Sequence, residues 1–486
     1  MTSKSISKFR RVAGLALVGV SGLLAASAAN AAATLIIING NAAGVGFNDA
    51  TPAAPVGGNA GTTLGQQRLI AFQAAANKWG ATLTSAVPIT VLATFEPLTC
   101  TATTAVLGSA GALQVFSDFP GAPLPGTWYS EALVNKLYGA QADPATADIR
   151  ARFNSRLGLF ADCLPGQPFY LGLDNNHGPL IDLVTVLTHE FGHGLGFQTF
   201  TNGSTGALLG GAPPVGQPSV WDHFMRDNTL NLRWVEMTNA QRAFSAINSR
   251  KLVWIGAGVT AAAPGVLSAG VPFAQISGPA AGAAAGTYDV GTASFGPIIG
   301  TPGFYGEVMP VTVNNVAGDA CNPLSALDAA AVNGKIALLN RGICGFTIKV
   351  KNAQNAGALG VIVGDNVAGG PPAGLGGTDP TITIPAVRIT LADANTLRTA
   401  LAKRSRVKSG VFATLSVNTA QLAGADPLGF VQLYTPNPFQ GGSSVSHYDT
   451  GAFPNLLMEP AINGDLTHEV TPPQDLTYRL LQDIGW

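Results

Sequence analysis

Charge is scarce in this 486-residue chain: Asp, Glu, Lys and Arg make up only 11% of it, 26 basic residues against 27 acidic. Without a long run of either sign there is no electrostatic footprint for nucleic acid or an anionic membrane surface, so neither partner is expected. Long apolar stretches are missing too. Beyond the N-terminus no segment carries about 18 consecutive apolar residues free of Gly, Pro or charge, so no membrane anchor is expected. There are four cysteines and no Cys-x-x-Cys pair, which makes a thiolate zinc site unexpected. No internal repeat is seen. What abounds is glycine, 60 residues, together with Ala, Thr and Ser. That composition fits short strands, many turns and a neutral surface, and is unlike a disordered polyelectrolyte. The length admits two or three domains, each with its own core.

The first residues read as a targeting segment. Lys4, Lys8, Arg10 and Arg11 give a positive start, Val12 to Ala26 an apolar run, and Ala29-Asn30-Ala31 an A-x-A cleavage site. Residues 1–31 are expected to be a signal peptide, with Ala32 the mature start and the protein secreted, either periplasmic or extracellular. The run is too short, and too broken by Gly and Ser, for a transmembrane helix. Export permits disulfides. Cys100, Cys163, Cys321 and Cys344 allow three connectivities. The nearest-neighbour choice, Cys100–Cys163 and Cys321–Cys344, keeps each bridge inside one expected domain.

Thr188-His189-Glu190-Phe191-Gly192-His193-Gly194-Leu195-Gly196-Phe197 carries the chemistry. A helix turns about 100° per residue, so side chains four apart share a face. His189 and His193 can then grip one Zn²⁺, with Glu190 placed as general base on a zinc-activated water. Pro179 suits a first helical position, Asp182 falls in the first turn, and Ile181, Val184, Leu187, Phe191 and Leu195 form an apolar stripe. Gly192, Gly194 and Gly196 allow the helix to end tightly.

Around this helix the chain predicts a strand over Thr34–Asn39, a helix over Gln66–Leu83 and a strand over Val87–Phe95. Ser219–Leu230 and Thr238–Ile247 read as helical, and 255–300 as a Gly/Ala/Pro linker with short strands. Strands at 335–340, 360–364 and 383–390 alternate with helices at 349–358 and 391–401, which implies a small α/β module. A last helix is expected over Leu476–Asp483.

A catalytic zinc takes three protein ligands and keeps one position open. The place six residues after His193 is Thr199, and no Glu occurs between Glu190 and Glu236. Asp222, His223, His447 and His468 remain. His223, in Trp221-Asp222-His223-Phe224, suits a partly buried structural histidine. His468 lacks a second histidine, and Pro472-Pro473 forbid a helix through it. His447 precedes Leu457-Met458-Glu459-Pro460 by eleven positions to the methionine. With the His-Glu-x-x-His-x-x-Gly helix, Ser446-His447-Tyr448-Asp449 and this Leu-Met-x-Pro turn, the chain resembles a leishmanolysin-type metzincin. That resemblance implies that His447 is the third ligand, with Met458 forming the apolar turn beneath the zinc. It further implies an α+β metalloprotease domain.

The 253 positions between His193 and His447 hold a second resemblance. Gly334-Lys-Ile-Ala-Leu-Leu-Asn-Arg-Gly342, Cys344 to Val363 and Ile384-Pro-Ala-Val387 are similar to a protease-associated (PA) domain. Such domains sit in surface loops of peptidases, shape substrate access and carry no chemistry. The expected organisation is a signal peptide at 1–31 and a metalloprotease domain over 32–284 and 416–486, with the PA domain inserted at 285–415. The activity implied is a zinc-dependent endopeptidase acting on protein or peptide substrates, as a monomer. The alternatives are an aminopeptidase and a non-catalytic extracellular binding protein with a structural zinc. Glu190 argues against the latter, since a structural site needs no base and closes with four protein ligands.

Overall fold

The computed structural model describes residues 2–3, 32–210, 216–312 and 318–486. The expected leader therefore lies outside the described residues except at Thr2 and Ser3. The chain is a mixed α/β protein with five sheets among the described residues, of which a four-stranded and an eight-stranded one frame the site.

The first sheet comes from β-branched and apolar runs. Strand β1, Leu35–Asn39, leads into helix α1, Leu64–Thr82, whose N-cap Thr63 accepts the Gln66 amide at 3.2 Å. Strand β2, Ile89–Glu96, buries every second residue, as a half-covered strand must. Strands β3, Gly108–Ala112, and β4, Ile149–Asn154, complete it in the order β1-β2-β4-β3. The first three neighbours are parallel and β3 runs antiparallel at the edge. Helix α1 buries Ala71, Phe72, Ala75, Ala76 and Trp79 at spacings of three and four. Helix α2, Leu183–Gly194, packs against it: Trp79 Nε1 donates to Thr188 O at 3.0 Å, and the Phe72 and Phe191 rings stand 6.1 Å apart, edge to face. All twelve residues of α2 are buried.

Helix α2 starts four residues later than a Pro179 start would give. Ile181–Asp182 pairs instead with Phe169–Tyr170, and Asp182 is the N-cap, accepting the Thr185 amide at 2.7 Å. The helix expected over 219–230 is a short 3₁₀ turn, Val220–Phe224, followed by a strand, Met225–Asp227. Pairing of that strand with Leu252–Trp254 overrides its local preference.

The second sheet holds eight strands: β5 (Ala269–Ser277), β6 (Gly286–Asp289), β7 (Gly291–Thr292), β8 (Phe304–Pro310), β9 (Ile336–Asn340), β10 (Gly360–Gly364), β11 (Ala386–Ile389) and β12 (Phe412–Leu422). Their order is β6-β5-β12-β8-β9-β10-β11-β7, parallel from β8 to β11 and antiparallel outside. Alternation along β9 sends Ile336 and Leu338 to one face, against helix α4 (Leu391–Leu401). Ala337 and Leu339 go to the other, against helix α3 (Phe346–Asn355).

This sheet is inserted. Chain leaves and returns side by side: Ala423 N donates to Ser268 O at 2.9 Å, and Ala269 pairs with Leu422. The sheet thus extends beyond the 285–415 expected from sequence, because β5 and the far end of β12 form a ribbon out of a run that looks like linker. One core joins buried residues on both sides of the insertion, from Ala33–Leu267 to Ala425–Trp486, and the inserted sheet touches it only at its base, through Leu422. The last helix, α5, Thr477–Ile484, closes that core. Both disulfides pair as expected, Cys100–Cys163 and Cys321–Cys344. No helix among the described residues is long and apolar enough to cross a membrane.

Candidate metal centre

The motif helix ends at the floor of a cleft of about 1150 Å³. Its C-terminus closes with paired bonds, Phe197 N to Gly192 O and Gly196 N to His193 O, both 3.0 Å, with Gly196 at φ +119°. His189, Glu190 and His193 face the cleft. His447 arrives from a hairpin on the far side of the insertion, in which Leu433 pairs with Tyr448.

The three imidazoles converge. Their Nε2 atoms are 3.2 Å (His193 to His189), 3.2 Å (His193 to His447) and 3.3 Å (His447 to His189) apart. Each Nδ1 faces a backbone carbonyl: Leu457 O at 2.7 Å from His189, Phe197 O at 2.7 Å from His193, Ser443 O at 2.8 Å from His447. A carbonyl only accepts, so each Nδ1 carries the proton and each Nε2 presents a lone pair. Three lone pairs pointed at one another repel unless a cation lies among them. Burial drives all three toward the neutral form: His189 falls to about 4, and His193, next to it, to about 3. His447 drops well below its ordinary value, through burial first and then the two neighbouring rings.

The donor set fits zinc. Imidazole nitrogens at tetrahedral corners about 2.0–2.1 Å from Zn²⁺ stand roughly 3.3–3.4 Å apart, close to the observed triangle. Among the described residues, these three form the cluster of His, Cys, Asp or Glu able to hold a metal ion. A closed structural site would need a fourth protein ligand.

Glu190 is also buried. Desolvation pushes its carboxyl up to about 8, against a hydrogen bond from the Ala110 backbone on β3 that pulls it down. A cation held by the neighbouring imidazoles would favour its ionised form.

Met458 lies under the helix, fully buried. A Cβ on Gly192 would come within 2.9 Å of its Sδ, so the glycine makes room for the methionine. Leu457, whose carbonyl holds His189, is itself fixed: its N–H donates to Asp475 Oδ2 at 2.7 Å. Burial pushes Asp475 up to about 6, opposed by that bond and others from Thr477 and Leu476.

The other candidates lie elsewhere. Asp222 is a loop anchor, accepting from Thr199 Oγ1 and Thr201 Oγ1, each at 2.6 Å. His223 Nε2 faces Thr127 Oγ1 at 3.1 Å, and His468 Nε2 faces Asp182 Oδ1, the cap of α2, at 3.0 Å. Tyr448 turns away from the cleft into the core, its hydroxyl donating to Leu476 O at 3.2 Å. Sequence reasoning missed the three carbonyl acceptors and Asp475. Backbone oxygens leave no trace in a sequence, and a lone Asp before a helix reads as an ordinary cap.

Known proteins resemble parts of this chain. Residues 306–397 match the family model of the PA domain. A 112-residue stretch is 38% identical to the receptor homology region, transmembrane domain- and RING domain-containing protein 1 of Oryza sativa subsp. japonica. That match takes in 23% of this chain, which spans 20% of that relative's length. Among solved structures, an aminopeptidase from Aneurinibacillus sp. strain AM-1 is 25% identical, with a TM-score of 0.24 and 31% of each chain covered. BSAP, a zinc aminopeptidase from Bacillus subtilis, is 23% identical, with a TM-score of 0.23 and 31% of each chain covered. The inserted sheet thus contains a PA domain, over residues 306–397.

Proposed function

We propose that the chain is a secreted zinc metallopeptidase of leishmanolysin-like metzincin type, cutting interior bonds of protein or peptide substrates. The observation that carries this reading is the convergence of three neutral imidazole lone pairs beside a buried carboxylic acid at the floor of an open cleft. His189, His193 and His447 would hold the ion, which when bound supplies Lewis-acid polarisation of a carbonyl and of water. Glu190 then takes the proton of the attacking water and passes it to the leaving amine. The carbonyls of Leu457, Phe197 and Ser443 lock ring orientation and keep the Nε2 lone pairs aimed at the ion.

The cleft wall supports an endopeptidase. Gly108, Ser109 and Ala110 of β3 line it, and β3 has a strand neighbour on one side only, β4, among the described residues. An open sheet edge pairs with the backbone of an extended peptide, which suits a bond inside a chain. The two disulfides suit the oxidising compartment that a signal peptide would lead to.

Mapping cuts in a mixed peptide library by mass spectrometry tests this. Interior cuts are expected, abolished by chelation and by Glu190→Gln, which keeps the ligands and removes the proton carrier. Stepwise loss of N-terminal residues would make the enzyme an aminopeptidase. A zinc-loaded protein that cuts nothing would be a binding protein.

A further inference from the structure

We propose that the PA insert is part of the support of the metal site: Gly369 and Gly370 position His447 by clasping Asn437 of its hairpin. This rests on the reading of the histidine triad as a zinc site.

The hairpin that delivers His447 is held at its arms by Tyr434 N to His447 O, 2.9 Å, and Val445 N to Tyr434 O, 2.8 Å. Between the arms, the connection 436–444 carries Ser443 O, the acceptor that orients the His447 ring. It is tied together by Ser444 N to Gln440 O and Gln440 N to Ser444 Oγ, both 2.9 Å. At its far end Asn437 reaches the insert. Asn437 N donates to Gly370 O at 2.9 Å, and Gly370 N returns a bond to Asn437 O at 3.1 Å, a reciprocal antiparallel bridge. Away from the base at Ser268 and Ala423, these are the backbone hydrogen bonds joining the insert to the body among the described residues.

The clasp needs glycine. Gly369 has φ +128°, and a Cβ there would stand 1.8 Å from Asn437 O. Gly370 lies against Ser249, whose hydroxyl donates to Thr435 O at 3.2 Å on the same hairpin. Clasp, connection and Ser443 carbonyl form one bonded path to His447. Loss of a group that orients a ligating imidazole costs about 10–100-fold in metal affinity. Gly369, Gly370 and Asn437 are therefore positioning residues, and the PA domain acts on the metal through them.

The test is zinc affinity of the full chain, by competition with a chromophoric chelator, for the parent, Gly369→Ala and Gly377→Ala. Gly377, φ +136°, also forbids a side chain, but its Cβ would meet Thr347 Cγ2 at 2.8 Å inside the insert. Gly369→Ala should weaken zinc binding about tenfold or more and shift the visible spectrum of the cobalt-loaded protein, with Gly377→Ala moving neither. Parent-like affinity in Gly369→Ala, or an equal loss in Gly377→Ala, overturns the clasp. A parent that takes up no metal refutes the zinc reading itself. Should Gly369→Ala fail to fold, hydrogen exchange on the parent decides: by reciprocity, chelation should speed exchange at the Gly370 and Asn437 amides. Unchanged exchange there overturns the proposal.

Discussion

Replacing Glu459 with Gln should stabilise the protein at alkaline pH and leave it nearly unchanged near pH 5. Glu459 follows Met458 in the turn beneath the metal centre and is only 1% exposed. Its Oε1 accepts the Leu456 amide at 2.8 Å and its Oε2 accepts from Asn463 Nδ2 at 3.3 Å. Burial pushes the carboxyl from 4.5 up to about 8; the Leu456 bond opposes this and the carboxylates of Asp449, Asp465 and Asp475 add to it. Between those two values the unfolded chain has lost the proton while the folded chain keeps it. Folding therefore takes up a proton, and stability falls as pH rises through that window, then levels above about 8. The span is 8 − 4.5, roughly 3.5 units at about 1.36 kcal/mol each, on the order of 5 kcal/mol as an upper bound. Gln keeps the acceptor for Leu456 and has nothing to titrate. Urea unfolding of both proteins from pH 5 to 8.5, at equal zinc saturation, should show curves that diverge with pH by several kcal/mol. Parallel curves would mean that Glu459 is ionised in the fold, and the account of this turn would be wrong.

Two further expectations concern stability. Asp475→Ala orphans the buried amides of Leu457 and Thr477 and should cost about 1–3 kcal/mol for each donor left unpaired; Asp475→Asn, which keeps an acceptor, should recover part of it in the same urea assay. Removing Cys100–Cys163, which closes 63 residues, should cost about 4 kcal/mol in the chain-entropy view, against about 3 kcal/mol for Cys321–Cys344, which closes 23. The reverse order, in thermal unfolding of the Cys→Ala pairs, would contradict that view.

The features readable in advance are those whose signal is local. The motif helix needs only two histidines four apart on an apolar stripe, and the inserted module shows itself in its alternation of strand and helix. His447 stood out through its neighbours in sequence, Tyr448, Asp449 and the turn at Met458. What escaped was set by distant partners. Ile181–Asp182 looked like the first turn of α2 until Phe169–Tyr170 claimed it as a strand. Met225–Asp227 looked helical, but its pairing with Leu252–Trp254 decides. Ala269–Ser277 falls in a run that reads as linker with short strands, and its full nine-residue length comes from Phe412–Leu422 lying beside it. The bridge from Gly370 to Asn437 joins two loops, and backbone bonds of that kind leave nothing for a sequence to show.

The central claim is that His447, 254 residues beyond His193, completes one zinc site with His189 and His193. Zinc uptake by the purified parent and by His447→Ala, with X-ray absorption at the zinc edge, tests it most directly. The parent should bind one zinc per chain, with three imidazole nitrogens about 2.0–2.1 Å away. His447→Ala should lose more affinity than the roughly 10–100-fold typical of an outer partner, while His223→Ala and His468→Ala bind as the parent does. Zinc held with parent affinity by His447→Ala, or lost on removing His223, would contradict the account.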